Sequence, residues 1–232
     1  MPSSAAAATY QPSMFDLDAT PALGELTGRV QRTVLGSGAW VDRLPGWLTG
    51  SDALLEELLT AVPWRAERRQ MYDREVDVPR LLCWYADDDE LPHPVLTQAK
   101  AALTRYYRPE LREPFRTAGL CLYRDGRDSV AWHGDTIGRG SHLDTMVAIL
   151  SVGADRPLLL RPRPPAAGSA PSPSGSASAT ADLRAPLRIP VGHGDLVVMG
   201  GSCQRTWEHA IPKTSRAVGP RVSIQFRPVG VS

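Results

Sequence analysis

The second half of this chain is divided into short apolar runs with turn residues between them. That rhythm constrains the fold more than any other feature. Residues 120–123, 145–152, 157–160, 195–199 and 222–226 are each of strand length, whereas a core helix needs roughly ten residues or more. Many short strands joined by turns make a sandwich or a barrel, and residues 29–35 offer one more strand early in the chain.

Helical spacing occurs twice in the first half. In residues 51–62, Leu54, Leu55, Leu58, Leu59 and Val62 form an apolar stripe, with Ser51 as its cap. Residues 94–107 form the second helix, with Pro94 in its first turn and Leu96, Ala99, Leu103 and Tyr106 on one side. Residues 1–25 are rich in Ala, Ser and Pro and read as a disordered tail. Residues 26–232 are then long enough for a single domain around one core. Between about 162 and 185 the chain is nearly all Pro, Ala, Ser and Gly, which reads as a flexible insertion between two strands. Such an insertion costs little, because closure entropy grows slowly with loop length.

No apolar run reaches the length of a membrane span, and the N-terminus lacks the pattern of a secretory leader. Cys83, Cys121 and Cys203 are widely spaced and odd in number, which points to a reducing cytoplasm rather than a disulfide framework. With 26 basic and 25 acidic residues, net charge is +1, so any contact with nucleic acid must come from a local patch. Arg65, Arg68, Arg69, Arg74 and Arg80 form one basic group and Arg156, Arg161 and Arg163 another; each by itself reads as a solvated surface.

The chemistry sits in His133-Gly134-Asp135. On a strand, residues i and i+2 point the same way, so both side chains reach one ion, and Gly134 adds no bulk. A second such pair, His142-Leu143-Asp144, comes after the flexible Gly138-Arg139-Gly140-Ser141, and its histidine reads as a loop residue. The third ligand candidate is His209. Its rivals are His193, in a turn, and His93, between prolines. His209 is preferred because a strand-like run, Arg221-Val222-Ser223-Ile224-Gln225-Phe226-Arg227, lies downstream of it with both arginines on one face. Two histidines and a carboxylate on one side of a metal leave the opposite side open, which suits a non-haem Fe(II) oxygenase.

Four segments in this order resemble the AlkB family of Fe(II)/2-oxoglutarate dioxygenases, which remove alkyl groups oxidatively from nucleic acid bases. They are Tyr123-Arg124-Asp125-Gly126 with His133-Gly134-Asp135, then Ser151-Val152-Gly153-Ala154-Asp155-Arg156, then His209-Ala210-Ile211-Pro212, then Arg221 to Arg227, over roughly residues 79–228. Val78-Pro79-Arg80 resembles the family's segment over the substrate pocket.

The resemblance implies a mainly β fold with flanking helices and a double-stranded β-helix, or jelly-roll, core. It implies His133, Asp135 and His209 as the ligands of a catalytic Fe(II). Tyr123, Arg221 and Ser223 would hold the distal carboxylate of 2-oxoglutarate, with Arg227 nearer its metal-binding end and Asp135. A buried dicarboxylate needs a charge-assisted, forked partner, and arginine supplies one. With O2 as the third reactant, the implied reaction is oxidative demethylation of N-alkylated bases in DNA or RNA. It releases formaldehyde, succinate and carbon dioxide and serves repair of alkylation damage. The sequence carries no clear oligomeric signal, so a monomer is expected, in the cytoplasm to which the cysteines point.

This chain departs from the family at several positions. Cys121 and Ser223 stand where the family commonly has asparagine. Thr136 comes directly after the metal aspartate, where repair members place an acid beside the damaged base; Asp144 is the candidate replacement. Arg80, Trp84, Tyr85 and Thr136 complete the candidate substrate contacts. Trp84 and Tyr85 either stack on an extruded base or pack in the core. Trp132 and Trp207 read as packing beside the ligands, and Cys121 as a small buried residue. Thr136 and the near-neutral charge keep open a same-fold oxygenase acting on a protein side chain or small molecule. The full ligand set and both arginines argue against a non-catalytic nucleic acid-binding jelly roll.

Overall fold

The computed structural model describes residues 19–71, 74–164 and 185–231. In chain order its elements are β1 (Ala22–Leu23), β2 (Gln31–Gly36), β3 (Ala39–Leu44), β4 (Leu48–Thr49), α1 (Ser51–Ala61), β5 (Arg65–Met71), β6 (Arg74–Tyr85), α2 (Pro94–Leu111), β7 (Thr117–Tyr123), β8 (Val130–His133), β9 (Val147–Gly153), β10 (Arg156–Pro162), β11 (Leu187–Val191), β12 (Leu196–Gly201), α3 (Cys203–Thr206), β13 (Trp207–Ile211) and β14 (Arg221–Arg227).

The strands form an eight-stranded sheet in the order β2-β3-β12-β9-β14-β7-β6-β5 and a four-stranded sheet in the order β11-β10-β13-β8, with β1 and β4 as a separate pair. β7 and β9 are buried along their whole length, because the large sheet is covered on both faces and the period of two sends alternate residues to different layers. Leu120, Leu122, Leu150, Val152, Val222, Ile224 and Phe226 point to the layer that α1 and α2 fill with Leu54, Leu58, Leu96 and Leu103. Each such side chain contributes about 1.5–3 kcal/mol by leaving water. Cys121, Tyr123, Val147 and Ile149 point the other way and meet Leu158, Leu160, Ile189, Trp207 and Ile211 of the smaller sheet. Two facing antiparallel sheets with helices on one outer face are the jelly-roll core expected from the sequence.

The structure differs from the sequence reading in several places. Ser51 does not cap α1. The cap is Gly50 in the left-handed region, and the Ser51 hydroxyl donates to Leu48 O. α2 runs past residue 107 to Leu111 and carries Pro109 inside it, and Tyr107 rather than Tyr106 is its fully buried tyrosine. The His93 side chain caps it by accepting from Val95 N. Ala22 and Leu23, assigned to the tail, pair with Thr49 and Leu48. Arg156 is no surface residue: it is buried and donates to the carbonyls of Asp125, Asp128 and Pro212. Most of the Pro/Ala/Ser-rich insertion and residues 1–18 lie outside the described residues, as do the side chains of Arg69 and Arg74. No helix among the described residues is long and apolar enough to cross a membrane.

Candidate metal centre and co-substrate pocket

β13 and β8 lie side by side, and their register sets His209 directly opposite His133, with ring centroids 4.2 Å apart. Cross-strand partners bring side chains of one face together, so two residues distant in sequence converge without any special loop. Asp135 does not lie on the strand with His133, as the i, i+2 argument expects. β8 ends at His133, and Asp135 comes after it in irregular chain. Its carboxylate still returns to the same point, with Oδ1 3.7 Å from His133 Nε2. The donor atoms of His133, Asp135 and His209 lie within 4.8 Å of one another.

The protonation states suit a metal. His133 Nδ1 lies 2.9 Å from Ala131 O; a carbonyl only accepts, so Nδ1 carries the hydrogen and Nε2 is left as the donor atom. Burial, with help from His133 and against Asp135, pulls His209 down to about 3, so its imidazole is neutral at physiological pH. For Asp135, burial pushes the pKa up, but Arg227, His209 and His133 outweigh it and hold the carboxyl at about 2. Arg227 Nε donates to Asp135 Oδ2 at 2.7 Å, and Arg227 Nη2 donates to Gln225 Oε1 at 2.6 Å. Two imidazoles, that of His209 kept neutral by burial, and a carboxylate held ionised form a donor set that fits Fe(II).

On the large sheet, Arg221 stands between Tyr123 of β7 and Gly153 of β9. The Arg221 guanidinium lies 5.3 Å from the Tyr123 ring, and its Nε donates to Ser151 Oγ at 2.9 Å. Its Nη1 is buried and has no partner. A buried cation with an unmet donor calls for an anionic oxygen, and the carboxylate of a keto diacid fits that demand. Burial lowers the pKa of Arg221 and pushes that of the Tyr123 phenol up to about 12. Ser223 and Cys121 are cross-strand partners between the two arginines, and Gln225 Nε2 lies 3.4 Å from both Cys121 Sγ and Ser223 Oγ.

The candidate substrate residues scatter more widely. Trp84 is 49% exposed, which rules out core packing for it. The ring lies 5.9 Å from the Arg227 guanidinium, over Gly119. A Cβ at Gly119 would come within 3.0 Å of Arg227 Nη1 and 3.3 Å of Trp84, so glycine there lets the two approach. Tyr85 is half-buried. Arg80 Nη1 donates to Ser129 O at 3.2 Å. Thr136 is half-buried beside Asp135, whereas Asp144 is exposed and ion-paired with Arg205. Trp207 is buried, and Trp132 lies under Arg161, 4.3 Å from its guanidinium. His193 serves structure: its Nδ1 accepts from Gly153 N at 2.7 Å. Sequence reasoning missed Ser151, Gln204 and Gln225, polar residues within apolar or turn segments that carry no spacing signal.

The arrangement matches known proteins. Residues 43–227 match the sequence profile of the 2OG-Fe(II) oxygenase superfamily. The human alpha-ketoglutarate-dependent dioxygenase alkB homolog 3 is 31% identical over 204 residues, covering 80% of this chain and 64% of that protein. The DNA oxidative demethylase ALKBH2 of Arabidopsis thaliana is 26% identical over 188 residues, covering 72% and 58%. This chain thus spans less than two thirds of the length of these relatives. The solved structure of OsALKBH1 shares the fold, with a TM-score of 0.52 at 13% identity over 85% of this chain and 99% of that one. By profile and by similarity to AlkB homologues, the chain belongs to the 2OG-Fe(II) oxygenase superfamily and is AlkB-like within it.

Proposed function

We propose that this protein is an Fe(II)- and 2-oxoglutarate-dependent dioxygenase that removes alkyl groups from nitrogen atoms of nucleic acid bases. The observation that carries the reading is the pairing of the three metal donors with a buried Arg221 whose Nη1 has no partner. Iron bound by His133, Asp135 and His209 supplies the activation of O2. 2-Oxoglutarate leaves as succinate and carbon dioxide, and the alkyl carbon leaves as formaldehyde.

The chain's own residues bind and orient. Arg221 and Tyr123 take the distal carboxylate, and Ser151 fixes the Arg221 fork. Arg227 keeps Asp135 ionised and aimed. Trp207 and Ile211, on the strand that bears His209, are buried in the core between the sheets. Trp84, exposed beside Arg227, offers a stacking face for an extruded base. Thr136 offers that base a neutral hydroxyl rather than a charge. The names of the human and Arabidopsis relatives, a dioxygenase and a DNA oxidative demethylase, support the substrate class. We read the described chain as one catalytic domain acting as a monomer. Free Cys83, Cys121 and Cys203 are in keeping with a reducing, cytoplasmic setting.

The test supplies the protein with Fe(II), 2-oxoglutarate and methylated single- and double-stranded oligonucleotides, and measures succinate and formaldehyde together. Both are expected to rise with the oligonucleotide. Succinate without formaldehyde across the panel would move the substrate elsewhere. No consumption of 2-oxoglutarate would end the dioxygenase reading.

A further inference from the structure

Between the two segments that carry the metal donors lies a side chain with no assigned task. Gln204 belongs to α3, the single turn that leads from β12 into β13 and so to His209. It is 1% exposed. Its Oε1 accepts the main-chain N–H of Asp135 at 2.9 Å, and its Nε2 is buried without a partner. The two segments touch closely. A Cβ on Gly134 would run into the main-chain oxygen of Gln204 and come within 2.8 Å of Arg163 Nη2.

α3 is a firm base for such a contact. Ser202 Oγ donates to Ser37 O at 2.6 Å, and Thr206 Oγ1 donates to Ser202 O at 3.0 Å. Asp135 needs the support. β8 ends at His133, so no sheet ladder fixes the main chain of Asp135. Arg227 secures the carboxylate end of this residue, and Gln204 is the side chain that secures its backbone end. Loss of a group that holds a metal ligand in place typically costs about 10–100-fold in metal affinity or activity.

We infer that Gln204 is a positioning residue of the metal centre: through the Asp135 N–H it sets the carboxylate before metal arrives and ties it to the segment bearing His209. The inference rests on the ligand assignment above. The unmet Nε2 marks the same place as one that wants a polar occupant.

The test is Mn(II) titration of the metal-free protein, monitored by tryptophan fluorescence, in wild type, Gln204→Met and Gln204→Glu. Methionine keeps the volume and removes the acceptor; glutamate keeps an acceptor oxygen. Q204M is expected to weaken Mn(II) binding about tenfold or more, with Q204E close to wild type. Equal affinity in all three, or equal weakening in both variants, overturns the role. A wild type that binds no Mn(II) instead overturns the metal centre itself. A second measurement needs no variant. Hydrogen exchange of the Asp135 amide in metal-free wild type is expected to be slow, and exchange at the rate of an open loop overturns the inference even if Q204M does not fold.

Discussion

His209 is a base that the fold keeps from taking a proton. Its pKa is about 3 in the folded chain against an ordinary 6.5, chiefly through burial. Between those values the unfolded chain binds the extra proton and the folded one does not. Stability therefore rises with pH across that window and is lost as pH falls from 6.5 toward 3. The slope approaches about 1.4 kcal/mol per pH unit. Asp135, held at about 2 against 3.8, adds a loss of the same sign lower down. Urea denaturation of the metal-free protein between pH 7 and 4.5 is expected to show this fall, and His209→Leu to flatten it. An unchanged profile in the variant would disprove the assignment. Arg221 behaves differently. Its buried charge lacks a full set of partners, so Arg221→Met removes a desolvation cost and is expected to melt no lower than wild type. The same change removes the cation proposed for the co-substrate, and the KM for 2-oxoglutarate is expected to rise about 100-fold or more. An unchanged KM would place the diacid elsewhere.

Elements decide where those residues meet, and here legibility depends on burial. The runs inside β7, β9, β10, β12 and β14 were readable because both faces of these strands are covered or their apolar residues are continuous. β5 and β6 were not. Their sequences, Arg-Ala-Glu-Arg-Arg-Gln-Met and Arg-Glu-Val-Asp-Val-Pro-Arg-Leu-Leu-Cys-Trp-Tyr, carry no apolar run longer than Leu81-Leu82-Cys83-Trp84-Tyr85, and β5 is the outermost strand of the sheet, paired to β6 alone. Pro109 hid the end of α2: the helix continues because Leu111 reaches the core and offsets the lost hydrogen bond. The Gly50 cap was equally hidden, since its left-handed backbone is set by the entry from β4 and not by a side chain. At this scale the decisive contact is α3 against the residues just beyond β8. Gly134→Ala would force the Gln204 main chain away. It is expected to cost about 1–3 kcal/mol of stability and to weaken Mn(II) binding in the remaining folded protein. Thermal melting and metal titration together check it, and a variant with native affinity would show that the two segments move independently.

Over the whole molecule, the ligand triplet and the terminal arginines were legible because metal and carboxylate chemistry restrict residue type. The contacts that hold them were not, because an amide such as Gln204 or a hydroxyl such as Ser151 acts through position alone. Charge is the other whole-molecule property, and it bears on the proposed substrate. With 26 basic and 25 acidic residues the chain has almost no net field to draw in a polyanion. Several of its arginines are already engaged: Arg32 with Asp42, Arg124 with Asp128, Arg161 with Glu208 and Arg205 with Asp144. Affinity for a methylated strand must then come from the base in its pocket more than from phosphates. Each phosphate contact on a single strand contributes a slope of about −0.7 in log K against log salt, so two to four contacts give a total between about −1 and −3. Fluorescence anisotropy with a methylated single strand between about 50 and 200 mM salt measures it. A slope near −6 would require a basic footprint that these paired arginines do not supply, and would shift recognition from the base to the backbone.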